Sequence, residues 1–210
     1  MDYSTYLFDF DGTLADSYAA IAASVNHIRA LRGHGPLSVE EVKIHVGRGP
    51  EHLLSHTVPD SRIEHDLQRY RTHHPTIMAS MTTLLPGARE TLRRLDEAGK
   101  KIGLCSNKPR LFSADLLRHL KIAEHFDLIL GPEDVEAPKP APDMLLKAIE
   151  RLGVPVAEVL YIGDMVVDIE TARRAGVTVW VVPTGSEKEG TLRAARPDRL
   201  LRDLEELLTA

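Results

Sequence analysis

Apolar positions follow two different rhythms along this chain. Tyr6-Leu7-Phe8 reads as a short buried strand, and it runs into Asp9-Phe10-Asp11-Gly12-Thr13-Leu14, where Gly12-Thr13 breaks it. From Asp16 to about Met81 apolar residues recur only at helical spacing. Ile21, Val25, Ile28 and Leu31 make one stripe, with Asp16-Ser17 placed to cap it and Gly33 and Gly35-Pro36 to end it. Ser38-Val39-Glu40-Glu41 is a capping box opening a second helix to about Val46. Gly47-Arg48-Gly49-Pro50 leads into a third through Leu53 and Leu54, and the pattern predicts a fourth over 61–73, then Pro75 and another helical piece.

After Leu84-Leu85-Pro86-Gly87 the rhythm changes to helices alternating with β-rich runs. Helices are predicted over 88–98, 109–120 and 142–152, the first and last stopped by Gly99 and Gly153, with strands over 101–105, 126–130 and 156–162. Asp168 falls in the next helix, which ends at Ala175-Gly176; 177–182 is the last clear strand, 185–198 reads as loop, and 200–208 as a closing helix. Alternation with short turns implies right-handed crossovers and a parallel sheet covered on both faces, to which the first strand belongs. The expected fold class is therefore α/β, a Rossmann-like core (1–15 and 82–210) carrying an inserted α-helical cap (16–81). An insertion just after the first strand would overhang that strand's end as a lid.

Composition narrows the partners. At 210 residues, 43% hydrophobic and 27% charged, the chain can build one good-sized core plus a smaller insertion. Lys+Arg 26 against Asp+Glu 31 leaves a net charge of -5, with no broad basic field for nucleic acid or an anionic membrane. Any phosphate must then be held locally. The single cysteine, Cys105, lies in an apolar run and cannot form an intrachain disulfide; it reads as core. The N-terminus lacks a secretory pattern and no run approaches a membrane span, so the expectation is a cytoplasmic protein, monomer or homodimer, whose partner is a small molecule.

The chemistry gathers at strand ends. If the first strand continues through Asp11, alternation puts the Asp9 and Asp11 carboxylates on one face, where like charges need a cation between them. A parallel sheet delivers its other C-terminal edges to the same side. One such edge ends in Ser106-Asn107, a hydroxyl and an amide before a helix start; another ends in Gly163-Asp164, with Asp168 one helical turn on. Pro138-Lys139-Pro140 holds one lysine in a stiff turn. Together these groups make a Mg²⁺ and phosphate site: carboxylates for a hard cation, hydroxyl and amide for phosphate oxygens, lysine for charge balance.

In order and spacing, Asp9-Phe10-Asp11-Gly12-Thr13, Ser106, Lys139 and Gly163-Asp164 with Asp168 resemble the four motifs of the haloacid dehalogenase superfamily, and the insertion resembles its α-helical cap subclass. The resemblance implies a HAD-like hydrolase in which Asp9 attacks phosphorus to give an aspartyl-phosphate and Asp11 serves as acid and base. It implies Mg²⁺ bound by Asp9, the Asp11 backbone carbonyl and Asp164, with Asp168 behind them or paired with Lys139. Ser106, Asn107 and backbone N–H groups of the Asp11-Gly12-Thr13 loop would hold phosphate oxygens, and Lys139 would neutralise the transferring group. An acid at position 11 favours phosphate monoesters over carbon–halogen or phosphonate substrates, whose cleavage needs no protonated alkoxide. Val46-Gly47-Arg48-Gly49 with Leu53-Leu54 resembles phosphoglycolate phosphatases, with Arg48 placed to meet a substrate carboxylate and Lys108 and Arg110 near its far end. Within the same superfamily, a pyrophosphatase, a nucleotidase or a phosphosugar mutase carries the same motifs. A catalytically silent binding protein on this fold is the alternative from another class.

Eight of the 10 histidines fall in the insertion, including His52 and His56 at i, i+4. They lack the His-Glu-x-x-His arrangement and any evident third ligand, so they read as helix surface. Gly47-Arg48-Gly49 lacks the third glycine and preceding strand of a dinucleotide loop.

Overall fold

The first apolar run forms β1 (Thr5–Phe8), all four residues buried, in a computed structural model that describes residues 3–209. Next come β2 (Ala15–Asp16), the helices α1 (Tyr18–Leu31), α2 (Val39–Lys43), α3 (Gly49–Thr57) and α4 (Ile63–Ile77), and β3 (Thr83–Leu84). The remainder alternates through α5 (Ala88–Glu97), β4 (Lys101–Cys105), α6 (Arg110–His119), β5 (Leu128–Leu130), α7 (Asp143–Leu152), β6 (Val159–Gly163), α8 (Val166–Ala175), β7 (Thr178–Val181), α9 (Glu189–Ala194) and β8 (Arg199–Leu200). Six strands form a sheet in the order β5-β4-β1-β6-β7-β8, every neighbouring pair parallel. The chain builds outward from β1 through β4 and β5, then returns to β1's other side with β6. The crevice beyond the C-terminal end of β1 is thus a topological switch point, where open α/β sheets bind ligands.

Alternation sorts the strand residues onto two covered faces. Tyr6, Phe8, Ile102, Leu104, Leu160 and Ile162 pack with Leu92 of α5, Leu116 of α6 and the apolar stripes of the helical insertion. Leu7, Cys105, Leu130, Val159, Tyr161 and Val179 pack with Leu145 and Ala148 of α7 and Ile169 and Ala172 of α8. Each fully buried aliphatic or aromatic side chain contributes roughly 1.5–3 kcal/mol, so burial on two faces explains why these strands are apolar throughout rather than alternating. Burial also pushes the Cys105 thiol up to about 12, which makes it an inert core residue.

The helical insertion is tied at both ends. β2 and β3 pair antiparallel, Ala15 opposite Leu84 and Asp16 opposite Thr83, so the chain leaves and re-enters the core through one two-stranded stem. The Ser38 capping box forms: Ser38 Oγ accepts the Glu41 N–H at 3.2 Å, and the Glu41 carboxylate accepts the Ser38 N–H at 2.8 Å. Asp66, fully buried on α4, accepts from Arg32 of α1 through Nε at 2.8 Å and Nη2 at 2.9 Å, and from Ser61 Oγ at 2.9 Å.

Three local expectations change. α4 continues through Pro75 instead of restarting after it, because Tyr70, His74 and Met78 continue one buried i, i+4, i+8 stripe past the proline. The stretch 185–198 contains α9, whose Leu192 is fully buried. Residues 200–208 do not form a closing α-helix: Arg199–Leu200 adds β8 to the sheet edge, and Glu205–Thr209 is a 3₁₀ turn. Leu201, Leu204 and Leu207 are the buried positions, and a repeat of three fits the tighter turn.

His74 joins the insertion to the core. Its ring stacks on Tyr70 at 5.0 Å and meets Phe112 of α6 at 5.4 Å, while Nδ1 lies 2.9 Å from Ser24 Oγ. Burial, with the Lys108 ammonium nearby, pushes its pKa down to about 2. The folded state therefore holds His74 neutral while the unfolded chain takes up a proton near pH 6.5, so stability is lost as pH falls below that value. Urea unfolding should show about 2 kcal/mol of destabilisation from this group between pH 7 and pH 5. His74→Phe should flatten that slope, and an unchanged slope would exclude His74 as its source.

Candidate active site

Each strand bordering the switch point ends in one of the expected site residues. The Asp9 N–H donates to the Ile162 carbonyl at 2.9 Å, extending the β1 ladder by one residue and fixing the carboxylate at its mouth. β4 runs into Ser106, Asn107 and Lys108, β6 into Asp164, and the first turn of α8 carries Asp168. Lys139 Nζ comes from the loop before α7 and sits 3.0 Å from Asp9 Oδ2, 2.7 Å from Asp168 Oδ1 and 2.9 Å from the Tyr161 hydroxyl. Asp168 Oδ2 accepts the N–H groups of Asp164 at 3.1 Å and Met165 at 3.0 Å. Thr13 Oγ1 donates to Asp164 Oδ1 at 2.8 Å.

The electrostatics follow from burial. Desolvation raises the Asp9 carboxyl to about 6 against the opposing pull of Lys139, and desolvation with the charges of Asp168 and Asp9 holds Asp164 well above the usual carboxylate range. For Lys139 burial acts downward, but Asp168 and Asp9 outweigh it and the ammonium stays charged.

Two observations test whether these residues fit a metal ion. Asp9 Oδ1 and Asp164 Oδ2 are buried oxygens with no hydrogen-bond partner, while both oxygens of Asp168 are already engaged. Ligand atoms of Asp9, Asp164 and Asp168 lie within 4.8 Å of one another, and three carboxylates against the one Lys139 ammonium leave a formal charge of minus two. A hard divalent cation would satisfy both the orphaned oxygens and the charge, with Asp9 and Asp164 free to ligate it while Asp168 holds Lys139 and the Asp164 backbone. Glycines make the room: a Cβ at Gly185 would overlap Asp164 Oδ2, as would one at Gly12, whose φ is +85°.

Asp11 takes a different course from Asp9. β1 ends at Phe8, and the Phe10 carbonyl accepts the N–H groups of Thr13, Leu14 and Ala15, so the backbone turns before Asp11 and strand alternation no longer applies. Charge relief for Asp11 comes instead from Lys108, whose Nζ lies 3.0 Å from Oδ1, and from the Ser17 hydroxyl, which donates to the same oxygen. Ser17 thereby leaves its expected capping role on α1, and Asp16 accepts the Tyr18 N–H instead at 3.1 Å.

Several residues expected to grip phosphate are engaged elsewhere. The Asn107 amide donates to the carbonyls of Gly47 at 3.0 Å and Lys139 at 2.9 Å and accepts the Lys139 N–H at 3.0 Å, so it fixes the lysine loop. The Gly12 N–H donates to the Ala15 carbonyl, and Thr13 holds Asp164. A pocket opens at Asp9, lined by Asp11, Ser106, Asn107 and Lys108 on the sheet side and by Ile21, Val46, Leu53, Tyr70 and Phe112 around them. Arg48 lines a neighbouring groove with Arg71 and Glu133, and Arg110 pairs with Asp134 at 3.2 Å; neither lines the pocket. Gly185, Tyr161 and Ser17 join the site with no local sequence signal beyond residue type.

Residues 6–182 match the family model for haloacid dehalogenase-like hydrolases. A phosphoglycolate phosphatase of Pseudomonas fluorescens Pf-5 is 31% identical over 96% of this chain and 77% of its own length. Another from Cereibacter sphaeroides is 36% identical over 81% of each chain. A solved Bacteroides fragilis structure described as a haloacid dehalogenase-like hydrolase superposes with a TM-score of 0.91 at 36% identity, covering 98% of this chain and 99% of that one.

The Asp164 cradle yields a direct test. Gly185→Ala should push the Asp164 carboxylate aside and weaken Mg²⁺ or Mn²⁺ binding by about tenfold or more, with the circular-dichroism spectrum unchanged. Parent-like affinity in a folded Gly185→Ala protein would show that Asp164 Oδ2 is not a ligand.

Proposed function

The chain belongs to the haloacid dehalogenase-like hydrolase family, and we propose that it is a Mg²⁺-dependent phosphatase of small phosphate monoesters, of the phosphoglycolate phosphatase kind. The observation that carries this reading is the pair of buried, unpartnered oxygens, Asp9 Oδ1 and Asp164 Oδ2, of which Asp9 lines a pocket together with Asp11 and Ser106. The relatives named phosphoglycolate phosphatase support the substrate class.

The residues divide the work as follows. An Asp9 carboxylate oxygen attacks phosphorus, the bond from phosphorus to the alcohol oxygen breaks, and the leaving alkoxide takes a proton from the Asp11 carboxyl. Water then attacks the aspartyl-phosphate, gives its proton to Asp11, and restores Asp9 with release of inorganic phosphate. Asp9, Asp164 and the Asp11 carbonyl would hold Mg²⁺, which when bound would supply positive charge beside the phosphate oxygens. Lys139 adds a second positive charge and fixes Asp9, and Ser106 offers its hydroxyl to a phosphate oxygen. Helices α1–α4 act as the cap, closing an apolar roof over the reaction and keeping bulk water out.

The pocket's lining also bears on substrate choice. Lys108 is its one cationic side chain among the described residues and the roof is apolar, which suits a compact leaving group with at most one further anionic end. We assign that end to Lys108 rather than to Arg48, which stands in the outer groove.

Asp9→Asn should lower kcat for p-nitrophenyl phosphate by at least about a thousandfold with the fold intact, and chelation of Mg²⁺ should silence the parent reversibly. Near-normal turnover in either case would sink the mechanism. Lys108→Met should raise KM for 2-phosphoglycolate relative to p-nitrophenyl phosphate by about tenfold, and Arg48→Ala by much less; the reverse order would return the specificity role to Arg48.

A further inference from the structure

The outer face of the cap carries imidazoles that the proposed reaction does not use. His52 and His56 lie one turn apart on α3 with ring centroids 3.9 Å apart. The third imidazole, absent from the local pattern, is supplied by the fold: the turn after α2 brings His45 to 5.5 Å from the His56 ring. His56 Nδ1 lies 2.8 Å from the His52 carbonyl oxygen, which can only accept, so Nδ1 is the donating nitrogen and Nε2 is the one turned away from that contact. His56 is exposed and His45 and His52 are partly exposed, so all three are open to solvent.

We propose that His45, His52 and His56 form a surface site for a borderline transition-metal ion of the Zn²⁺ or Ni²⁺ class, separate from the hard-cation site at Asp9 and Asp164. Neutral imidazoles suit such ions and discriminate against Mg²⁺, which prefers oxygen ligands. Two histidines at i, i+4 share a helix face and can reach one ion, His45 adds a third nitrogen, and water fills the remaining position. Among the described residues, the three aspartates are the one group whose ligand atoms already lie within 4.8 Å of one another. The imidazoles therefore converge by rotation of solvent-exposed side chains, and the site closes around its ion. His56 also sits in the last turn of α3, whose free carbonyls favour a cation. Arg48 beside His52 opposes one, through solvent that screens the repulsion.

The site's position gives it a consequence. It brackets Gly47-Arg48-Gly49, where the Gly47 carbonyl accepts from Asn107 at 3.0 Å and both glycines line the pocket. An ion joining residue 45 to residues 52 and 56 stiffens that turn from outside.

Titration calorimetry of Zn²⁺ into the full chain, with excess Mg²⁺ filling the aspartate site, tests the assignment. One equivalent should bind, and His52→Ala and His56→Ala should each weaken it by at least about tenfold, His45→Asn by less. A His27→Ala/His73→Ala double variant, which removes a separate stacked pair with centroids 4.0 Å apart, should bind as the parent does. Nitrogen hyperfine structure from Cu²⁺ in the parent, lost in His56→Ala, would add the ligand's identity. No Zn²⁺ uptake by the parent overturns the proposal, as does parent-like affinity in folded His52→Ala and His56→Ala, or loss carried by the His27 and His73 variant.

Discussion

The arrangement of the site depends on one buried ammonium. Lys139 Nζ reaches Asp9, Asp168 and the Tyr161 hydroxyl from a loop on the far side of β4, and among the described residues it is the one cation set among three buried carboxylates. Without it, Asp9 and Asp168 would sit as like charges in a medium where repulsion is weakly screened. With it, each carboxylate has a distinct task. Asp168 spends both oxygens on Lys139, Tyr161 and the backbone of residues 164–165, so Asp164 is aimed rather than merely nearby. Neutralisation is left incomplete by two charges, and that remainder is what makes a divalent cation the matching partner.

The same economy of contacts links the chemistry to the insertion. Asn107 is a poor candidate for gripping phosphate because its amide is already shared between the Lys139 loop and the Gly47 carbonyl. One side chain thus holds the lysine in place and registers where the glycine turn of the helical segment sits. Asp11 is placed in a comparable way, between Lys108 after β4 and Ser17 at the start of α1. Both connections run from the sheet to the insertion, so the position of the helices and the arrangement of charges at Asp9 and Asp11 are not independent.

The parallel sheet was legible because both its faces are buried: runs such as Leu104-Cys105 and Leu160-Tyr161-Ile162 leave little room for another reading. Strand ends were legible for the same reason, since chemistry-bearing residues follow apolar runs abruptly at Asp9, Ser106 and Asp164. What escaped was set by partners distant in sequence. Ser17 looks like a helix cap until Asp11 is seen to need its hydroxyl. Asn107 looks like a phosphate donor until Lys139 and Gly47 arrive from 32 and 60 residues away. Gly185 carries no local mark, because what leaves no room for a side chain there is the Asp164 carboxylate pressed against it. The C-terminal leucines misled for a different cause: a repeat of three and a repeat of three-to-four are hard to tell apart over one short segment.

The two-stranded stem has a further meaning. Because Ala15 faces Leu84 and Asp16 faces Thr83, the ends of the helical insertion are already neighbours within the core, and closing the loop between them costs the core little whatever its length. The stem is therefore a grafting point. A different set of helices could be exchanged through it without shifting β1 or the residues at its mouth. Through such a joint a lineage can change what its members act on while inheriting the reaction intact, and a protein engineer could recombine caps at the same two residue pairs.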